Sequence, residues 1–266
     1  FGTSAPEMLV SGLAAYDGHP EMSIGNAFGS NILNIGLVLG VTAIILPITV
    51  EKSVLKKEWL FLFLSTLIVG FLLLDGFLSF SDGLILLSLL LLFLINVFRE
   101  SKKNNLTDSD SLEINSQKNE KGRIWLLLIV SLIILVSSAR LVVWGGTSLA
   151  LSFGVSDLII GLTVVALGTS LPELAVSISS ALKKQHQMVI GNIIGSNLFN
   201  TLGVLAIPGL ILPFQIPTEV MSRDFFFMLM FTLLVVILSM RLKISRFGGF
   251  ILLTALTIYL YQLFWI

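Results

Sequence analysis

Long apolar runs broken by short polar segments set the pattern of this chain. Residues 59–74, 83–98, 124–136, 225–240 and 250–266 carry no charge at all. A bilayer core asks about 20 apolar residues of a helix, so each run supplies a membrane span or most of one. None of them alternates in polarity as a barrel strand does, which excludes a closed barrel. The pattern predicts a half-helix at 3–16 and spans near 22–46, 58–74, 82–98, 124–147, 157–182, 188–212, 224–240 and 247–265. Segment 99–123, rich in Asn, Ser, Lys and Asp and without an apolar period, reads as a flexible loop. The fold class expected is an all-α integral membrane protein, with the lipid bilayer as its surroundings.

Composition agrees. The chain is 55% hydrophobic and 12% charged, with a mean hydropathy of +0.98, far above what keeps a soluble surface wet. It has no cysteine, which rules out disulfides, thiol catalysis and cysteine-ligated metals. Net charge is zero, and no nucleic-acid partner is expected. The distribution of charge says more than its sum. Fourteen of the 16 Lys and Arg fall on one side of the alternating spans, in connections 46–57, 99–123, 183–187 and 241–246. Arg223 alone lies opposite, and Arg140, near the outer end of its span, is expected to snorkel. By the positive-inside rule the 99–123 loop is cytoplasmic and the C-terminus faces outward. No cleavable signal is visible, and the chain starts at Phe1.

The chain also repeats itself. Gly2-Thr-Ser-Ala-Pro-Glu7 recurs as Gly168-Thr-Ser-Leu-Pro-Glu173, and Gly25-Asn-Ala-Phe-Gly-Ser-Asn-Ile-Leu-Asn34 as Gly191-Asn-Ile-Ile-Gly-Ser-Asn-Leu-Phe-Asn200. At this offset of 166, 16 of the 33 positions from Gly2 to Asn34 are identical without a gap, and Pro47 falls on Pro213. Five spans per repeat is an odd number, so the second half is expected upside down relative to the first, as an inverted repeat of two five-helix halves. The divisions are 1–98, the 99–123 loop and 124–266. Residues 121–167 have no counterpart before the first motif. About 45 residues, one and a half spans, are therefore expected ahead of Phe1, giving ten spans when intact.

Of the 16 Asp and Glu, only Glu7 and Glu173 lie well inside apolar spans. A carboxylate there costs at least about 2.5 kcal/mol, so it faces a partner or a water-filled path. No basic residue is placed to pair with both, which makes a cation the natural partner. Pro after Gly-Thr-Ser removes a backbone donor and frees carbonyls of the preceding turn, as in a broken helix lining a cavity. With the hydroxyls of Thr3, Ser4, Thr169 and Ser170, the two carboxylates form an all-oxygen shell suited to Ca2+ or Na+ and not to zinc or copper. Asn26, Ser30 and Asn34 follow at i, i+4, i+8, as do Asn192, Ser196 and Asn200, so each set lies along one helical face. Ser30, Asn34, Ser196 and Asn200 can complete the shell, whereas Asn26 and Asn192 read as structural.

Plainer readings compete at each point. The G-x-x-x-G steps at Gly25/Gly29 and Gly191/Gly195 suit ordinary helix packing. Buried Ser, Thr and Asn often glue helices together, and an isolated buried Glu can serve a proton relay or assembly. Two such Glu, at repeat-related positions beside identical breakers, favour a site. Asp157 after Ser156 reads as a helix start, and His19 and His186, at span ends, as solvated.

The paired G-T-S-x-P-E and G-N-x-x-G-S-N motifs resemble the alpha repeats of the cation/calcium exchanger superfamily, in particular its prokaryotic sodium/calcium exchanger branch, over nearly the whole chain. The resemblance implies an inner-membrane antiporter without cofactor, functional as a monomer. Ca2+ would bind at Glu7 and Glu173, in competition with Na+ at Thr3, Ser4, Ser30, Asn34, Thr169, Ser170, Ser196 and Asn200. It further implies alternating access, with the span at 124–147 moving against the core. Potassium-dependent members carry Asp where this chain has Asn200, so potassium dependence is not expected. Calcium/proton antiport is the alternative within the superfamily, and a cation channel the alternative outside it. No nucleophile, base and orienting residue converge, so no enzyme is expected.

Overall fold

The computed structural model describes residues 3–107 and 151–265, with individual positions between 126 and 148. Arg140, many other positions of the span expected near 124–147 and the later part of the 99–123 segment lie outside the described residues. The described helices are α1 (Ala5–Tyr16), α2 (Pro20–Ile45), α3 (Lys52–Asp75), α4 (Phe80–Thr107), α5 (Asp157–Leu182), α6 (His186–Ile211), α7 (Val220–Ser239) and α8 (Arg246–Trp265). All but α1 contain a stretch long and apolar enough to cross a membrane. The protein is a helical membrane protein, as its apolar runs predict.

Local chemistry explains most boundaries. Pro20 opens α2 in the first turn, where its missing N–H costs nothing. Ser156 caps α5 by accepting from the Ile159 amide at 3.4 Å, so the helix start read at Asp157 holds. One boundary differs. α4 runs on to Thr107, beyond the apolar run, because a change to polar residues without Gly or Pro does not stop a helix.

Four segments inside the spans widen into π-helix: Asn34–Leu39 in α2, Gly161–Val165 in α5, Asn200–Val204 in α6 and Val220–Asp224 opening α7. Such widened turns redirect side chains. Two short antiparallel pairings were also not foreseen. β1 (Ile48–Thr49) joins β4 (Lys243–Ile244), and β2 (Phe77–Leu78) joins β3 (Phe214–Gln215). They hold the α2–α3 and α7–α8 connections at one end of the bundle and the α3–α4 and α6–α7 connections at the other, as alternation of the spans requires.

Packing sorts the helices into interior and rim. α2 and α6 are the interior pair, 78% and 83% buried along their apolar windows, against 22% for α4. Leu91, Leu92 and Phe98 of α4 and Leu60, Leu64 and Phe71 of α3 stay exposed, as a hydrocarbon solvent permits. Gly25 and Gly29 bring α2 against α5 so closely that a Cβ at either would meet α5 backbone atoms at 2.7 Å and 2.6 Å. Their repeat-related partners Gly191 and Gly195 meet nothing within 4 Å among the described residues.

Candidate cation site

Glu7 in the first turn of α1 and Glu173 in the middle of α5 are both fully buried. Neither finds a basic partner among the described residues; Arg223, the nearest thing to a cation within a span, is spent on Asp224 at 2.8 Å. Ser196 lies between the two acidic motifs, within hydrogen-bond reach of both Ser4 and Glu173. Pro172 lies within continuous helix, so the break expected there is not found, and a separate π turn at Gly161–Val165 lies upstream. Thr169, at the start of the regular turns that follow, bonds back to the Val165 and Ala166 carbonyls.

Hydroxyls from both motifs converge on this region. Ser4 donates to Ser196 at 3.1 Å, and Ser196 donates to Glu173 Oε1 at 3.1 Å. Thr169 donates to Asn26 Oδ1 at 3.1 Å, as does Ser30 at 3.3 Å, and Thr3 donates to Asn192 Oδ1 at 3.3 Å. All but the Ser30–Asn26 bond run between a G-T-S-x-P-E and a G-N-x-x-G-S-N motif. Asn34 and Asn200, both fully buried, each open a π segment. The Asn34 segment packs on the part of α5 that carries Glu173, and the Asn200 segment packs on α1, which carries Glu7.

Asn26 and Asn192, read from the sequence as structural, are the hubs of this arrangement. Asn26 Nδ2 donates to the Glu7 carbonyl at 3.3 Å and to Ser11 Oγ at 2.9 Å; Asn192 Nδ2 donates to the Glu173 carbonyl at 3.2 Å and to Ser177 Oγ at 3.0 Å. Ser11 and Ser177 were missed, although the repeat marks them as identical at the offset of 166. His19, expected to be solvated, pairs with Asp157 at 2.6 Å while remaining partly exposed.

Several buried polar atoms of these residues have no hydrogen-bond partner. Both oxygens of Glu7, Oε2 of Glu173, Oγ of Ser170 and both the oxygen and the nitrogen of the Asn34 and Asn200 amides are buried without one. Burying such acceptors unpaired is costly, and several in one place call for a positive guest. Among the described residues no three or more His, Cys, Asp or Glu converge. The donor set is thus two carboxylates with hydroxyls and amides, hard oxygen ligands that suit Ca2+ or Na+.

Spans of this kind around paired buried carboxylates and oxygen donors describe the core of a membrane transporter. The sodium/calcium exchanger protein family matches residues 1–99 and 123–265, and the chain belongs to that family. It is similar to the putative antiporter CaxA of Alkalimonas amylolytica, 40% identical over 270 residues that cover 99% of this chain and 85% of the relative. It is likewise similar to inner membrane protein YrbG of Escherichia coli (strain K12), 38% identical over 273 residues, 100% of this chain and 84% of the relative. Among solved structures, the sodium-calcium exchanger NCX_Mj soaked with 100 mM Na+ and 10 mM Sr2+ aligns with a TM-score of 0.77 at 39% identity, covering 98% of this chain and 83% of that one.

Proposed function

We propose that the protein is a secondary antiporter exchanging Ca2+ for Na+ by alternating access at one central site on Glu7 and Glu173. The observation that carries this reading is the cluster of buried, unpartnered oxygens on Glu7, Glu173, Ser170, Asn34 and Asn200. Thr3, Ser4, Ser30, Thr169 and Ser196, hydrogen-bonded within the same region, complete the ligand set. Two carboxylates supply two formal negative charges, which one Ca2+ or two Na+ balance. The ions therefore compete for the same oxygens, and that competition couples their fluxes. With Asn rather than Asp at both 34 and 200, no third charge is present to demand potassium.

The inverted repeat belongs to this reading, and paired contacts support it. An offset of 166 carries the Asn26 bonds onto those of Asn192, the Thr169–Asn26 bond onto Thr3–Asn192 in exchanged halves, and the β1–β4 register onto β3–β2. Halves 1–98 and 124–266, about the 99–123 connection, would then be related by a two-fold axis in the membrane plane. The Lys and Arg distribution orients the protein with that connection in the cytoplasm of a prokaryotic cell and the C-terminus outside. Each half supplies one glutamate, so a single chain completes the site and functions as a monomer.

The test is calcium uptake. The purified protein is reconstituted in sodium-loaded liposomes and diluted into sodium-free buffer containing radioactive calcium, with Glu173→Gln as control. Uptake that needs the sodium gradient and vanishes in the variant supports exchange at this site. Uptake driven only by a proton gradient replaces the reading with calcium/proton antiport, and flux without any counter-ion gradient replaces it with a channel.

A further inference from the structure

A second polar contact joins the interior helices beside the carboxylate site. Asn31 of α2, between Ser30 and Asn34, is 2% exposed. Its Nδ2 donates to Thr201 Oγ1 on α6 at 2.9 Å and lies 3.3 Å from Met228 Sδ on α7. Asn197, its repeat-related residue, donates to the Asn31 backbone carbonyl at 3.3 Å. One buried asparagine thus touches both α6 and α7 from α2.

The halves differ here. Asn31 and Asn197 correspond, but the offset that maps them carries Thr201 onto Ile35, which has no hydroxyl. Asn197 accordingly reaches a backbone carbonyl instead of a side chain. Thr201 is the residue directly after Asn200 in the π segment Asn200–Val204. A widened turn lacks the regular i→i−4 ladder that sets side-chain direction, so an anchor from outside the helix has leverage over it.

We propose that the Asn31–Thr201 hydrogen bond is a positioning contact that sets where the Asn200 amide stands in the cation site. The Asn34 limb, with Ile35 in place of threonine, has no such side-chain anchor. The two amides are therefore held unequally, and the Asn34 limb is the one that adjusts as the occupant changes. This inference rests on the two-glutamate site proposed above.

Thr201→Val removes the acceptor at nearly constant volume, and Thr201→Ser keeps it. In sodium-loaded liposomes, Thr201→Val is expected to raise the apparent KM for Ca2+ about tenfold, the scale of one buried hydrogen bond, with little change in maximal rate. Thr201→Ser should keep the parental KM. Asn31→Ala should match Thr201→Val, and the double variant should be no worse than either. A parental KM in Thr201→Val, equal impairment in Thr201→Ser, or additive shifts in the double variant overturns the inference. The calcium-induced rise in unfolding temperature in detergent reads the same positioning without transport. A rise in the parent and Thr201→Ser that shrinks in Thr201→Val supports the contact even if sodium-driven uptake is absent, which would sink the exchange reading alone. Equal responses in all three sink the positioning role.

Discussion

Lys184 and Gly18 occupy the same point of the two halves, just past the helix that carries the glutamate, and both adopt left-handed backbone, with φ of 59° and 89°. Each donates its amide to the matching carbonyl, Lys184 to Ala181 at 2.8 Å and Gly18 to Ala15 at 3.3 Å. The turn demands this conformation after a helix end, where glycine is favoured because it has no Cβ to clash. A lysine there bears about 1 kcal/mol of strain. Lys184→Gly should thus stabilise the protein by roughly 0.5 kcal/mol after the greater entropy loss of glycine. Thermal unfolding in detergent checks this, and a lower midpoint would refute it.

The close approach of α2 to α5 makes a sharper prediction. A Cβ on Gly29 would lie 2.6 Å from the Leu162 carbonyl oxygen and 2.8 Å from Ala166 Cβ, contacts that no rotamer relieves. Gly29→Ala must push apart the two helices carrying Ser30, Asn34 and Glu173, and is expected to cost about 2 kcal/mol and most of the calcium uptake. Gly12→Ala is the control. Its Cβ would meet Ile207 Cγ2 at 3.6 Å, an ordinary contact, and uptake should stay near the parental rate.

Asn26 should tolerate even less. Its amide accepts from Thr169 and Ser30 and donates to the Glu7 carbonyl and Ser11, so it ties residues of both motifs. Asn26→Leu strands several buried polar atoms together, at about 1–3 kcal/mol each. The expected outcome is loss of folded protein on size-exclusion chromatography. Asn26→Asp, which keeps the acceptors and loses the donor, should retain more; equal yields from the two variants would contradict the hub role.

What could be read from the sequence follows a physical divide. Glu7 and Glu173 stood out because a carboxylate in an apolar run is an energetic anomaly visible without coordinates. The spans were legible for the same reason, since a bilayer fixes their length and polarity. Asn26 and Asn192 were legible as positions, through the repeat, but not as hubs, because the role of an amide depends on where its donors and acceptors land. The π segments at Asn34 and Asn200 carry no composition signal distinct from α-helix, and the two-residue strands near Ile48 and Phe77 are too short for any periodicity. Pro172 sits within continuous helix, a continuity that residue type alone does not decide.

The anchor between α7 and α8 has an unfinished twin. Arg223 donates to buried Asp224 through Nε at 2.8 Å and Nη2 at 3.2 Å, and Tyr259 donates its hydroxyl to Asp224 Oδ1 at 3.1 Å. Tyr259→Phe should cost about 1–2 kcal/mol, because a buried carboxylate loses a donor. Asp224→Ala should be more destabilising than Tyr259→Phe, because it removes the shared acceptor of Arg223 and Tyr259. The offset of 166 maps Asp224 and Tyr259 onto Glu58 and Phe93. The rings correspond: Phe93 stacks on Phe61 at 4.9 Å, and Tyr259 lies 5.0 Å from Phe227. Glu58 Oε2 is buried without a partner, and Phe93 has no hydroxyl to offer it. Phe93→Tyr should supply that donor and stabilise the protein by about 1 kcal/mol, seen as a higher unfolding midpoint in detergent that Glu58→Gln reduces. A gain that survives Glu58→Gln unchanged would mean that the new hydroxyl bonds elsewhere.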